Sequence, residues 1–184
     1  MEKETEVRFL EINKGDLVQK LLAQGAVDHG EVVLEEVILY DKELTWINQR
    51  RFIRLRKSGD IVKITYKEHA SNVLDGAQEI EFVVGDLEKG VLLLEKLGYV
   101  AYRRQQKKRH KLTLGKFVID IDTWPRVPTY VEFEGPSHDA LKEFTESLGF
   151  EWTKVMFEDA RYVLENIYHI PMGTMRWLTF DRFE

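Results

Sequence analysis

Charge alternates with aliphatic side chains at a period of two through most of this chain, and that pattern leaves few folds open to it. Residues two apart in a β-strand point to one face. Glu4, Glu6 and Arg8 thus share a face in a first segment. Arg54 and Arg56 oppose Ile53 and Leu55, and Lys63, Thr65 and Lys67 oppose Val62, Ile64 and Tyr66. Further on, Glu79 and Glu81 oppose Ile80, Phe82 and Val84, while Lys107, Arg109 and Lys111 form another row. Asp120 and Asp122 oppose Ile119 and Ile121, and Glu132 and Glu134 oppose Val131 and Phe133. Antiparallel strands with one apolar and one ionic face account for this. A merely solvated face would be rich in Ser, Thr, Asn and Gln, and these faces hold almost none. The charges also sort by strand, some rows wholly carboxylate and others wholly Arg or Lys. A sheet curled so that these faces meet would surround an anion with bases and set carboxylates beside them.

The same periodicity predicts strands over about 3–11, 32–41, 50–58, 61–68, 77–84, 99–114, 116–123 and 129–134. A first helix should start at Asn13, a capping residue with Asp16 three positions on, and end at Gly25 after the apolar face Leu17, Val18, Leu21 and Leu22. A second is expected from Asp86 to Gly98 with Leu87, Val91, Leu94 and Leu97 inward, and a third from Ser137 to Gly149 on Leu141, Phe144 and Leu148. A fourth is expected over about Thr153–Tyr168, stopped by Pro171. Ser58-Gly59-Asp60 and Gly115-Lys116 read as hairpin turns, and Pro125 and Pro128 impose a longer loop. No linker interrupts the 184 residues, so a single domain is expected, with a core over 1–150 and a C-terminal helix and tail over 151–184. The aromatic and charged tail from 172 could pack on the sheet, close one mouth of it or mediate a homodimer contact.

The formal net charge of −5 lacks the basic excess usual in nucleic-acid binders, so no nucleic-acid partner is expected. The absence of cysteine removes disulfides, thiolate metal sites and thiol nucleophiles. An acidic opening and the lack of a long apolar run point to a soluble, cytoplasmic protein without a membrane partner. His29, His69, His110, His138 and His169 show no metal-ligand spacing, and no glycine-rich phosphate loop occurs. Trp46, Trp124, Trp152 and Trp177 are read as packing residues. The ionic faces suit a different chemistry. Hard divalent cations take carboxylate oxygens and bridge to phosphates. Arginine forks onto phosphate oxygens, and lysine offers a point charge.

The opening Glu4-Thr5-Glu6-Val7-Arg8 resembles the ExExK signature of the CYTH superfamily, the triphosphate tunnel metalloenzymes. Tyr40-Asp41, Phe52-Ile53-Arg54-Leu55-Arg56, Ile64-Thr65-Tyr66-Lys67, Glu79-Ile80-Glu81, Lys107-Lys108-Arg109, Ile121-Asp122 and Tyr130-Val131-Glu132-Phe133-Glu134-Gly135 resemble that family's later segments, in the same order. The resemblance implies an α+β fold, an eight-stranded antiparallel β-barrel forming a triphosphate tunnel with flanking helices. It implies Mg2+ or Mn2+ as cofactor, held by Glu4, Glu6, Asp122, Glu132 and Glu134, with Asp120 on the same face as Asp122 and an alternative ligand. It implies a triphosphate-containing small molecule held by Arg54, Arg56, Lys63, Lys67 and Arg109, with Lys107, Glu79 and Glu81 lining the same rows. Glu4, Glu6, Arg56 and Arg109 are the expected catalytic set. Arg8 stands where the signature has lysine; arginine does not readily deprotonate, so it is assigned to phosphate binding and not to proton transfer. The expected activity is a metal-dependent triphosphatase, the alternatives being a class IV adenylate cyclase and a non-catalytic polyphosphate- or nucleotide-binding module.

Overall fold

A computed structural model describing residues 5–69 and 77–184 has strands close to where alternation places them, except that the second begins already at Val27 and a short ninth one was not expected. They are β1 (Thr5–Phe9), β2 (Val27–Tyr40), β3 (Arg51–Ser58), β4 (Ile61–His69), β5 (Ala77–Val84), β6 (Val100–Leu114), β7 (Phe117–Thr123), β8 (Tyr130–Gly135) and a short β9 (Trp177–Leu178). Their order in the sheet is β1-β8-β7-β6-β2-β3-β4-β5, with β9 beside β6. The expected eight-stranded antiparallel sheet with flanking helices is therefore present. Helices are α1 (Lys14–Ala23), α2 (Thr45–Asn48), α3 (Leu87–Lys96) and α4 (His138–Ser147). Contacts divide the chain into two compact units, Met1–Val32 with Lys108–Thr174, and Val33–Lys107 with Met175–Glu184.

In the first unit the aliphatic faces of β1, β7 and β8 supply the core: Val7, Ile119, Ile121, Val131 and Phe133 are all at most 1% exposed. Helices α1 and α4 cover it with Leu17 and Leu21, and with Leu141 and Phe144. Both helices start as capping chemistry predicts: Asn13 Oδ1 accepts from the Asp16 amide at 3.2 Å and Ser137 Oγ from that of Ala140 at 3.2 Å. The helix expected over Thr153–Tyr168 does not form as such. Trp152–Lys154 make one 3-10 turn, and helix resumes only at Ala160–Tyr162, capped by Asp159 and passing into a π-turn over Val163–Ile167. Between them Met156 exchanges two backbone hydrogen bonds with Arg8, of 2.8 and 3.0 Å. The cause is β1, which pairs with β8 on one side and takes a partner for Arg8 on the other from this extended stretch.

The second unit has its own core of Val37, Leu39, Ile53, Leu55 and Val62, covered by Leu87, Val91 and Leu94 of α3. Asp86 caps α3, and its Gly90 lies so close to β3 that a Cβ there would sit 2.5 Å from Leu55 Cδ2. Leu97, expected to face inward, is 66% exposed, because the helix ends at Lys96 and Gly98 turns the chain away at φ +95°. Helix α2 was not foreseen; Asp41 accepts from the amides of Thr45 and Trp46, at 3.1 and 2.8 Å, and nucleates it. The tail packs on the sheet as β9, parallel to β6, with Leu178 fully buried and the Trp177 ring between Arg104 and Arg182.

Candidate functional site

Register converts the rows of charge into two side-chain networks, one in each unit. In the first, β6, β7, β8 and β1 set Lys111 opposite Asp120, Asp120 opposite Glu132, and Glu132 opposite Arg8. Arg109 lies opposite Asp122 and ties the carboxylates together. Its Nε and Nη2 fork onto Asp122 at 2.7 and 2.6 Å, Nη2 also reaches Glu132 at 2.7 Å, and Nη1 pairs with Asp120. Arg8, almost fully buried, donates to Glu132 at 2.8 Å, to Glu6 at 2.6 Å and to the Glu158 carbonyl at 2.5 Å. Burial opposes the Arg8 charge, but Glu132 and Glu6 outweigh it and raise its pKa. Arg109 is raised in the same way by Asp122, Glu132 and Asp120. Asp120 moves the other way for an acid: burial, helped by Asp122 and Glu132, holds its pKa above the ordinary range despite Arg109.

Of the expected carboxylates, Asp120, Asp122 and Glu132 are thus gathered around one guanidinium, and Glu6 lies directly opposite Glu134 in the β1–β8 register. Glu4 lies outside the described residues. Two features suit a hard cation. Asp120 Oδ1 is buried and accepts no hydrogen bond from the described residues, and like charges directly opposite on neighbouring strands repel unless a cation joins them. The donor set, all carboxylate oxygen, fits Mg2+ or Mn2+. Among the described residues no three acidic or histidine side chains already converge as a finished metal cage.

In the second unit β3 pairs with β2 and β4 so that Glu36 faces Arg56, Arg56 faces Lys63, and Arg54 faces Thr65. Lys63 and Thr65 both donate to Glu81, at 2.7 and 2.8 Å, and Lys67 pairs with Glu79 at 2.5 Å. Glu79 and Glu81, expected among the substrate-lining residues, therefore orient the two lysines, and the Lys63 hydrogen bond lowers the Glu81 pKa. Arg54 Nε is buried and has no acceptor among the described residues. Burial, and Arg56 beside it, lower the Arg54 pKa although Glu36 opposes this.

Reading the sequence missed three members of this network. Glu36, Gln105 and Arg103 are buried at 4%, 7% and 6% exposure, beside Lys107 at 5%. Glu36 accepts from Arg56 Nε and from Gln105 Nε2, each at 2.5 Å, and Gln105 Oε1 accepts from Arg103 Nε at 2.8 Å. Burial would raise the Glu36 pKa, but Arg56, Arg54, Lys107 and the Gln105 amide together bring it down to about 2. The expected packing role of the tryptophans is seen at Trp124, 4% exposed, which donates to the Tyr130 hydroxyl at 2.9 Å.

A family model described as the CYTH domain matches residues 2–163. The chain belongs to the CYTH family. No curated protein matches it significantly. Among solved structures it is similar to the PH1012 protein of Pyrococcus horikoshii OT3, at TM-score 0.69 and 22% identity over 85% of this chain and 96% of that one. It is equally similar in fold to a candidate adenylate cyclase of Vibrio parahaemolyticus, at TM-score 0.69 and 16% identity over 88% and 97%. HpAC1 of Hippeastrum, a candidate adenylyl cyclase with a dominant triphosphatase activity, follows at TM-score 0.63 and 10% identity over 95% and 100%. At these identities the likeness is one of fold. Within the CYTH match, Arg8 keeps the charge of the signature lysine, while β9 and the rest of the tail lie beyond the matched residues.

Proposed function

We propose that this CYTH protein is a divalent-cation-dependent triphosphatase acting on inorganic tripolyphosphate or an organic triphosphate. The observation that carries the reading is the cationic network of the second unit: Arg54, Arg56 and Lys107 surround Glu36, and buried Arg54 Nε has no acceptor among the described residues. Cations gathered out of water, with the Arg54 Nε donor still unfilled, call for an anion of several oxygens. Phosphate binding accordingly falls to Arg54, Arg56, Lys63, Lys67 and Lys107, and metal binding to Glu6, Asp120, Asp122, Glu132 and Glu134, with Glu4 from the signature. Arg8 and Arg109 draw these carboxylates together and offset their mutual repulsion. When bound, Mg2+ or Mn2+ supplies charge neutralisation at the phosphoryl oxygens. The side chains themselves bind and orient, which is most of what phosphoryl transfer asks of a protein. The dominant triphosphatase activity of HpAC1, a protein of the same fold, supports this reading.

The likeness to the Vibrio candidate adenylate cyclase favours a second reading, cyclisation of ATP to cyclic AMP and pyrophosphate. Incubation with tripolyphosphate or ATP plus Mn2+ separates them. Orthophosphate release supports the triphosphatase, and cyclic AMP with pyrophosphate supports the cyclase. Tight, metal-independent tripolyphosphate binding in calorimetry with no turnover would instead leave a binding module, and an absence of both binding and product would sink all three.

A further inference from the structure

A buried carboxylate in the middle of a phosphate-binding network looks misplaced, since it repels the anion the network would hold. Its hydrogen bonds supply the reason. An arginine and a carboxylate usually meet fork to fork, two nitrogens on two oxygens. Here only Arg56 Nε meets Glu36, through Oε1, because Oε2 is already occupied by the Gln105 amide. The Gln105 amide cannot turn round, since its Oε1 accepts from Arg103 Nε and a flip would set donor against donor. Donation therefore runs one way, from Arg103 to Gln105 to Glu36, and Glu36 closes the row by accepting from Arg56. Among the described residues the two terminal amino groups of Arg56 have no hydrogen-bond partner.

We propose that Glu36 is a positioning residue for phosphate recognition: held by Gln105 and Arg103, it grips Arg56 by Nε and leaves the terminal pair of amino groups as the fork offered to a phosphate. The proposal rests on the triphosphate reading above. It makes Gln105 the guard of that fork. Without the amide, Oε2 is released and the Arg56 guanidinium can rotate to pair with Glu36 through two nitrogens, withdrawing one terminal amino group from the substrate.

Calorimetric titration with tripolyphosphate, without metal, tests this in the wild type, Glu36→Gln, Gln105→Leu, and each of these combined with Arg56→Ala. Losing one charge-assisted hydrogen bond should weaken binding by roughly 10–100-fold in Glu36→Gln and Gln105→Leu, with no further weakening once Arg56 is gone. A carboxylate acting only as a counter-charge predicts the opposite sign, since its neutralisation should tighten the binding of an anion. Unchanged or tighter binding, or an equal loss in the Arg56→Ala background, overturns the proposal. Gln105→Leu alters no charge and carries the test should Glu36→Gln fail to fold. A separate readout keeps the proposal distinct from the reading it rests on. The Arg56 Nε–H signal in 15N–1H spectra should exchange slowly in the wild type and rapidly in Glu36→Gln. If it stays protected in the variant, the grip is absent. Failure of the wild type to bind tripolyphosphate either without metal or with Mn2+, while that signal behaves as expected, overturns the triphosphate reading instead.

Discussion

Arg109→Met removes a guanidinium and keeps much of its apolar stem. Arg109 makes four hydrogen bonds to three carboxylates, and the Asp122 side chain among them is fully excluded from water. Deleting one partner of such a buried pair leaves charge without compensation, a loss of ~3–5 kcal/mol, equivalent to a fall in Tm on the order of 10 °C for a chain of this size. The loss should depend on pH in a definite direction. Without Arg109, burial and the neighbouring Asp122 and Glu132 push the Asp120 carboxyl further above its unfolded value. Groups raised in this way favour folding below their unfolded pKa and lose that contribution as pH rises through the folded value. The variant's deficit should therefore be full near pH 7 and shrink toward about pH 4.5, where the carboxylates take up protons. Urea unfolding of both proteins at several pH values, free of divalent metal, reads this directly. A deficit below about 1 kcal/mol near neutrality, or one that does not change with pH, would refute the view that Arg109 neutralises this cluster.

Two further perturbations probe the neighbourhood. Glu134→Gln removes a carboxylate that lies directly opposite Glu6 across the β1–β8 pair. The same variant should lose Mn2+ affinity by on the order of 10–100-fold in calorimetry, and unaltered affinity would remove Glu134 from the metal set. Gly90→Ala offers up to ~1 kcal/mol of helix propensity but drives a methyl group into Leu55, at a cost of ~1–3 kcal/mol. Net destabilisation is expected, and a more stable variant would show that α3 can lift from β3 at little cost.

Strand parity made the ionic rows readable because a period of two survives any tertiary arrangement. Arg54, Arg56, Lys63 and Lys67 were found in this way, as were Asp120, Asp122, Glu132 and Glu134. Glu36 escaped because its own face of β2 reads Leu34, Glu36, Ile38 and Tyr40, one acid among apolar neighbours. Only its register against β3, which places it opposite Arg56, reveals the partner. Gln105 and Arg103 were hidden for a related reason, since their function lies in the direction of hydrogen bonds and not in residue type. The broken fourth helix is a long-range effect: local periodicity around Met156 is helical, but the backbone of Arg8 claims that residue. Leu97 fits the helical stripe by spacing and falls one residue past its end.

The pairing of β1 also dictates an order of events when the chain is made. Its partner β8 sets Thr5 opposite Gly135, and its other neighbour, Met156, comes later still. At ~5–20 residues per second, a ribosome leaves the signature strand without either neighbour for on the order of ten seconds. Through that interval Val7 and Phe9, which end in the core, lack the cover that β8 and α4 provide. This strand, made before its partners, is thus among the last to be secured, and slow assembly of the carboxylate network follows from that wait.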